Sequence, residues 1–209
     1  MTVTLKKPPY IETVGAQYTC FNTPDADGNY TDNFESDVEK TEVVKSVTVT
    51  ENVDTAVIRA SGKDYDSRRG EETDTIAVGV IAFPAATLHR MRGDTVGEGG
   101  LIKSGGPVKR PFFAYGKVVH LSGGKMRLDW YPKCQLTENT DQANTSEQTF
   151  SEQTDTITIT AYAFNDAGNT KVSVDSDVNW PDRLTEDNFF KQVILTDADL
   201  AAAIPAAGN

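Results

Sequence analysis

The side chains that most often carry out chemistry are few in this chain and lie far apart. The two histidines, His89 and His120, fall on different predicted elements, and the two cysteines, Cys20 and Cys134, have no metal-type spacing. A general base needs a positioned partner, and no motif marks one for either histidine. The chain also lacks a nucleophile elbow and a phosphate-cradling glycine loop. We therefore predict that the chain is not an enzyme, with no catalytic residue and no cofactor.

Metal binding finds equally little support in the sequence. The segment Asp25-Ala26-Asp27-Gly28-Asn29 resembles the start of a calcium loop, but the glutamate required at the twelfth position falls elsewhere. We interpret the segment as a turn and predict no metal site. Cys20 and Cys134 are interpreted as reduced, buried thiols. A disulfide between them would require that their strands be neighbours.

The best-defined element that could position side chains is a hairpin from Pro111 to Leu136. Two runs rich in aromatic and β-branched residues flank Ser122-Gly123-Gly124-Lys125, which is typical of a tight β-turn. Alternation on the second arm predicts a buried face and a face that meets water or a partner. The buried face would hold Met126, Leu128, Trp130, Cys134 and Leu136, and the other Arg127, Asp129, Tyr131, Lys133 and Gln135. Pro132 predicts an edge position or a bulge.

Other strands are predicted from short apolar or alternating runs. They cover residues 16–21, 43–50, 55–60, 74–83, 155–164 and 171–175. Residues 51–54 are interpreted as a turn, and residues 61–72 as a polar connector. A helix is predicted from Pro84 to Gly93, with proline in its first turn and glycine as its C-cap. A second short helix opens near Thr185, so the fold is predicted to be mainly β.

The chain shows no internal repeat and no shift in composition that would divide it, so we predict a single domain over residues 1–209. Residues 1–14 are interpreted as an N-terminal arm, 22–42 and 137–153 as long polar loops, and 180–209 as a C-terminal tail. The sequence contains no run of about 18 apolar residues, so we predict no membrane helix. The first residues lack a signal-peptide pattern, so synthesis in a cytoplasm is expected.

The net charge of −11 is unevenly distributed along the chain. Residues 25–42 hold seven acids against Lys40, and residues 103–133 hold seven bases against Asp129. These stretches are either solvated loops around a mildly basic sheet, or one acidic and one basic surface that meet between copies of the chain. The acidic balance argues against tight binding of nucleic acid.

The order of the elements is more specific than any single motif. A polar arm, a first strand and a long acidic loop precede a strand pair ending in Val57-Ile58-Arg59-Ala60-Ser61-Gly62-Lys63-Asp64. A strand from residue 75 runs into the helix at 84–93, and a glycine-rich link leads to the hairpin with its Trp130-Tyr131-Pro132-Lys133 segment. A polar loop and the strand at 155–161 follow. Over residues 16–175 this order resembles the major tail tube protein of long-tailed, non-contractile bacteriophages.

This resemblance implies a β-sandwich or partial barrel of antiparallel strands with one short flanking helix. It also implies a virion structural protein that self-assembles into stacked hexameric rings, the tail tube through which DNA is ejected into the host. The expected partners are the chain itself, the tape measure and tail terminator proteins, and DNA only in transit, with no membrane. The arm at 1–14 and the loops at 22–42 and 137–153 are the expected contacts between subunits.

The alternative is a surface or secreted binding module of β-sandwich type for carbohydrate or protein. Such a module needs exposed aromatic residues clustered on one face of its sheet. Tyr115, Tyr131 and Tyr162 are the candidates for that face.

Overall fold

The computed structural model describes residues 5–106, 109–141, 145 and 154–206. The strands within these residues are β1 Ile11–Phe21, β2 Glu39–Thr41, β3 Val44–Ala60, β4 Lys63–Val80, β5 Thr95–Val96, β6 Ile102–Lys103, β7 Phe113–Leu121, β8 Lys125–Thr140, β9 Asp155–Ala161 and β10 Val172–Asp175. The helices are α1 Ala85–Arg92, α2 Glu186–Phe189 and α3 Asp197–Ala203. The prediction of a mainly β fold is confirmed.

Eight strands form one antiparallel sheet: seven follow the order β2-β1-β7-β8-β9-β4-β3, and the eighth, β10, pairs with β8 beside this path. Strand β8 is the centre of this sheet, because it pairs with β7 along one edge and with β10 and then β9 along the other. Strands β5 and β6 form a separate small hairpin after α1. The arrangement is consistent with the predicted β-sandwich or partial barrel of antiparallel strands.

Apolar side chains are buried in two groups. The first group joins β1, β7 and the first half of β8 to the C-terminal segment, and includes Leu128, Trp130 and Phe190. The second joins β4, β9 and the second half of β8, with Met91 of α1 packed among them. The helix predicted at 84–93 is confirmed, and Gly93 ends it in the left-handed conformation with φ 73°.

A bulge in β8 connects the two buried groups. Tyr131 pairs with Tyr115 and Cys134 pairs with Phe113, so β8 holds one residue more than β7 between these pairs. The extra residue turns Tyr131 and Cys134 towards the same group, opposite to Trp130. The bulge predicted at Pro132 is thus confirmed. An edge position is wrong, because other strands pair with both edges of β8. The simple alternation beyond Pro132 is also wrong, because the bulge shifts it by one residue.

Strands β3 and β4 are much longer than predicted. The predicted turn at 51–54 and the connector at 61–72 both belong to one continuous antiparallel hairpin. Its tip is Ser61-Gly62, where both residues have positive φ, 54° and 75°, as a two-residue hairpin turn requires. The prediction failed because most side chains in this part are polar and exposed, so the apolar alternation that identifies a strand is absent.

The segment predicted as a C-terminal tail instead packs on the sheet. The ring of Phe190 stacks on the ring of Tyr18, with their centroids 3.8 Å apart. Trp130 meets Phe190 edge to face, with ring centroids 5.1 Å apart. The helix predicted near Thr185 is confirmed as α2, with Thr185 as its N-cap. Strand β10 also forms as predicted, but it pairs with β8 rather than with β9.

A buried ion pair lies where β7, β8 and β10 meet. Lys117 Nζ is 2.7 Å from Asp129 Oδ2, and Ser173 donates a hydrogen bond of 2.6 Å to Asp129 Oδ1. Burial alone would raise the pKa of Asp129, but the charge and hydrogen bond of Lys117 lower it below its usual value. Both side chains come from the stretches predicted to face water or a partner, and both are buried.

We expect Asp129→Asn to destabilise the fold by about 3–5 kcal/mol, because it leaves Lys117 charged and buried without its counter-ion. The free energy of unfolding is to be measured by chemical denaturation at pH 7. Asp177→Asn is the matched control, since it removes one partner of the exposed Lys125–Asp177 pair. That change should cost about 1 kcal/mol or less. Equal losses in both variants would contradict a buried pair.

The same pair predicts a pH dependence. Since the pKa of Asp129 is lower in the folded chain, its stabilising contribution is fully present above the unfolded value of about 3.9. It should be lost as pH falls from there through the lower folded pKa. The difference in stability between wild type and Asp129→Asn should therefore stay constant above about pH 5 and shrink in acid. Denaturation series at several pH values measure it.

Gly116→Ala should also destabilise the chain, because a Cβ at Gly116 would lie 2.6 Å from Phe190 Cε1. Moving that buried ring disturbs its stacking on Tyr18, at about 1–3 kcal/mol. The control is Gly99→Ala, where an added Cβ meets no atom within 4 Å. Thermal melts of the two variants should differ clearly. Equal melting temperatures would show that the C-terminal segment does not pack as described.

Candidate assembly surface

The outer edge of β3 has no strand paired with it among the described residues. Strand β3 is 17 residues long and ends the strand order, and in the described part of the chain it pairs with β4 alone. The opposite end of the sheet is closed by β2, which has only three residues. An open edge presents a row of unpaired N–H and C=O groups, which is a template for pairing with another chain. This edge is therefore a candidate site of contact between copies.

Beyond Asp74 the hairpin continues without a third strand among the residues that the structure describes. Strand β9 pairs with β4 only from Asp74 to Val80, so residues 52–73, here called the projecting hairpin, form a two-stranded ribbon. Its nine residues from 52 to 60 extend roughly 30 Å at about 3.3 Å per residue. Val57, Ile58 and Tyr65 near its tip are exposed apolar side chains. Sequence analysis missed this surface, although Ser61-Gly62 between β-branched and aromatic residues is a recognisable turn signal.

Apolar side chains are also exposed on the small hairpin after α1 and in the N-terminal arm, where Leu5 and Tyr10 are exposed. The small hairpin of β5 and β6 exposes Val96, Leu101 and Ile102. The predicted N-terminal arm overlaps β1 from Ile11 onward, and its described residues 5–10 have no regular structure. Tyr10 exchanges hydrogen bonds with Ser122 in the β7–β8 turn, so the arm lies against the end of that hairpin.

The acidic loop at 22–42 contacts its own chain extensively. Arg90 of α1 forms a two-pronged ion pair with Glu35, and Thr87 donates a hydrogen bond of 2.5 Å to Glu39. The hydrogen bonds from Arg90 lower the pKa of Glu35. Asp25 accepts two backbone hydrogen bonds within the turn predicted there, and that turn is confirmed. The loop also contains β2, which the sequence did not predict.

The second predicted contact loop, 137–153, falls mostly outside the described residues. Its first residues, Thr137–Thr140, extend β8 and are not a loop. Residues 142–144 and 146–153 are outside the described part. The contact between subunits expected there remains a prediction.

The bases between 103 and 133 do not form one basic surface among the described residues. Lys117 is buried against Asp129, and Lys133 lies 5.1 Å from the centroid of the Tyr30 ring. Arg110 donates hydrogen bonds to the backbone carbonyls of Leu136 and Thr137. Several of these positively charged side chains therefore form contacts within the subunit.

The histidines occupy ordinary structural positions. His89 Nδ1 lies 2.7 Å from Asp94 Oδ2, and the hydrogen bond from His89 is the main reason that the pKa of Asp94 is lowered. Ser104 also forms a hydrogen bond with the carboxylate of Asp94 and not with the imidazole of His89. The serine–histidine–aspartate order of a catalytic triad is therefore absent from these three residues. His120 is half-buried in β7, next to Gly15 of β1.

The cysteines match their prediction as reduced, buried thiols. Both are free and buried, and they belong to different buried groups. Burial raises the pKa of Cys20 to about 11, and it raises that of Cys134 further. Neither thiol is therefore a ready nucleophile.

Two of the three tyrosines that the alternative binding module would use are not on an exposed face. Tyr115 and Tyr131 are buried, with rings 6.5 Å apart between centroids. Tyr162 is half-buried, and it lines an open cavity of about 1130 Å³ together with Lys133 and the loop at 165–168. Of the three tyrosines, only this one is left for contact with a ligand.

The sequence matches no protein-family model and no curated protein. In the residues that the structure describes, every helix is too short or too polar to cross a membrane.

The projecting hairpin should be the least protected regular structure in the unassembled chain, because among the described residues no third strand pairs with it and no buried group includes its side chains. In hydrogen exchange, we expect amides at 52–60 and 63–72 to exchange about 100-fold faster or more than those of β7 and β8. Mass spectrometry of peptides from both regions measures the ratio in one sample. Equal protection would mean that another part of the chain covers the ribbon.

Proposed function

We propose that this chain is a virion structural protein whose copies form hexameric rings that stack into a bacteriophage tail tube. The proposal combines the order of elements over residues 16–175 with the surfaces described above. The tube would conduct DNA into the host, and the proposed location is the phage tail. Its ends would meet the tape measure and tail terminator proteins, as the resemblance implies.

The observation that carries the proposal is the open edge of β3. Natural sheets shorten, charge or cover their edge strands, because a long uncovered edge aggregates. An edge of 17 residues is far longer than the three-residue edge at β2. Pairing between copies in a closed ring would satisfy the backbone groups of β3 and leave no free edge.

The projecting hairpin supports the same proposal. Isolated two-stranded ribbons are at best marginally stable in water, so a ribbon of this length gains from a second surface. The apolar side chains near its tip would supply that contact with a neighbouring subunit. The net charge of −11 fits a lumen through which DNA passes without binding, since like charges repel.

Purified wild-type chain should form rings or tubes in a concentration-dependent manner, seen by negative-stain electron microscopy and by sedimentation velocity. Val57→Lys should raise the concentration needed for assembly by at least about tenfold, because burying one valine is worth roughly 1.5–3 kcal/mol. The melting temperature of the unassembled variant should stay close to that of wild type, since the side chain is 48% exposed.

The matched control is Val178→Lys, which makes the same change at a valine that is 86% exposed and lies outside the candidate surfaces. This variant should assemble like wild type. A wild-type chain that stays monomeric at every concentration, with or without its tail partners, would overturn the proposal. Equal loss of assembly in both variants would show that the projecting hairpin is not a contact between subunits.

A further inference from the structure

Carboxylates replace apolar residues on the inner face of β3 and β4 where the projecting hairpin leaves the sheet. On β4 the alternate residues at 76, 78 and 80 are buried and apolar, and Asp74 and Glu72 continue their row. On β3, Glu51 is the direct register partner of Asp74. One oxygen from each of the three carboxylates lies within 4.8 Å of the others. Like charges directly opposite each other destabilise a sheet, so a cation bound between Glu51 and Asp74 would relieve their repulsion.

Asp74 provides a second, independent observation. The residue is only 2% exposed. Its Oδ2 accepts a hydrogen bond of 2.6 Å from Thr170, whereas its buried Oδ1 has no hydrogen-bond partner among the described residues. A buried carboxylate oxygen without a partner is rare, because the lost hydration is not replaced. A cation held between Asp74 and its two acidic neighbours would replace it.

We propose that Glu51, Glu72 and Asp74 bind one Ca²⁺ ion at the base of the projecting hairpin. Oxygen ligands sit about 2.3–2.6 Å from Ca²⁺, so ligands up to about 5 Å apart can share one ion. For Mg²⁺ the corresponding span is only about 4 Å, and its geometry is stricter. A cavity of about 250 Å³ beside the carboxylates, bordered by residues 167–171, has room for the water ligands that complete the coordination. This proposal departs from the expectation of no metal site.

The competing source of positive charge is the protein itself. Lys117, Arg127 and Lys171 line a cavity next to Glu51. Lys117 and Arg127 are both paired with Asp129. Lys171 is exposed, and its ammonium is one alternative counter-ion among the described side chains. If Lys171 fills that role, the chain binds no Ca²⁺, and the two explanations therefore differ in a measurable outcome.

The ion would join three parts of the chain at one point. Glu51 belongs to β3, Glu72 and Asp74 belong to β4, and Thr170 precedes β10. Its binding would fix the angle at which the projecting hairpin leaves the sheet. The inference stands on these residues alone and does not depend on the proposed assembly.

Isothermal titration calorimetry of the chelator-treated full-length chain tests the site with CaCl₂ and, in parallel, with MgCl₂. We expect one Ca²⁺ per chain, with a dissociation constant on the order of 10⁻⁴ M, as for partly exposed sites, and weaker binding of Mg²⁺. Ca²⁺ should also raise the melting temperature. No Ca²⁺ binding by the wild type, or equal binding of both ions, would overturn the proposal.

Glu51→Gln and Asp74→Asn should each weaken Ca²⁺ binding by about tenfold or more, since loss of even an outer-shell partner has effects of that size. Glu51 is exposed, so its variant keeps the test valid if Asp74→Asn does not fold. The control is Glu71→Gln, which removes the same charge from the exposed face of β4 and should bind Ca²⁺ like wild type. Equal loss in Glu71→Gln and Glu51→Gln would indicate only a general effect of charge and overturn the site. Assembly is measured in a separate experiment. Absence of Ca²⁺ binding would therefore leave the proposed function intact.

Discussion

The constraint on which the structure depends is that β8 has both edges paired and both faces covered. A regular strand in that position would direct Trp130 and Cys134 to the same side. The bulge at Pro132 reverses the alternation, so one strand supplies Leu128 and Trp130 to the C-terminal segment and Cys134 and Leu136 to the side of β4 and β9. Proline suits this position because the extra residue of a bulge does not take part in the regular ladder.

Covering both faces of β8 also forces polar side chains into the interior. Asp129 is fully buried, and Lys117 is its register partner on β7. Ser173 on β10 binds the same carboxylate, so one charged contact links three neighbouring strands. A buried ion pair gives little net stability compared with apolar packing, but a slipped register would leave a charge unpaired. We infer that the pair specifies register, and that charge counted along a sequence is a poor guide to the charge on a surface.

The parts predicted correctly are those whose signals are local. The Gly-Gly turn of the central hairpin, the proline and glycine at the ends of α1, and the alternation at 157–161 each determine their structure within a few residues. The missed features depend on distant partners. The polar strands of the projecting hairpin lack an apolar period, and the packing of Phe190 depends on Tyr18 and on the space left by Gly116. Glu51 meets Asp74 only through the register of β3 and β4, which the sequence does not display.

The open edge, the ribbon and the acidic cluster share one physical origin. Strand β9 ends its pairing with β4 at Asp74, and from that residue outward no third strand pairs with the hairpin in the described part of the chain. Backbone hydrogen bonds between two strands satisfy half of the polar groups of the ribbon, and water must satisfy the rest. Such an element is marginal as a free structure, yet its regular register and its turn conformation at Ser61-Gly62 are well defined. A bound cation would make the base of the ribbon rigid, and a neighbouring subunit would cover its tip. Both contacts would stabilise the ribbon, and they act at its opposite ends.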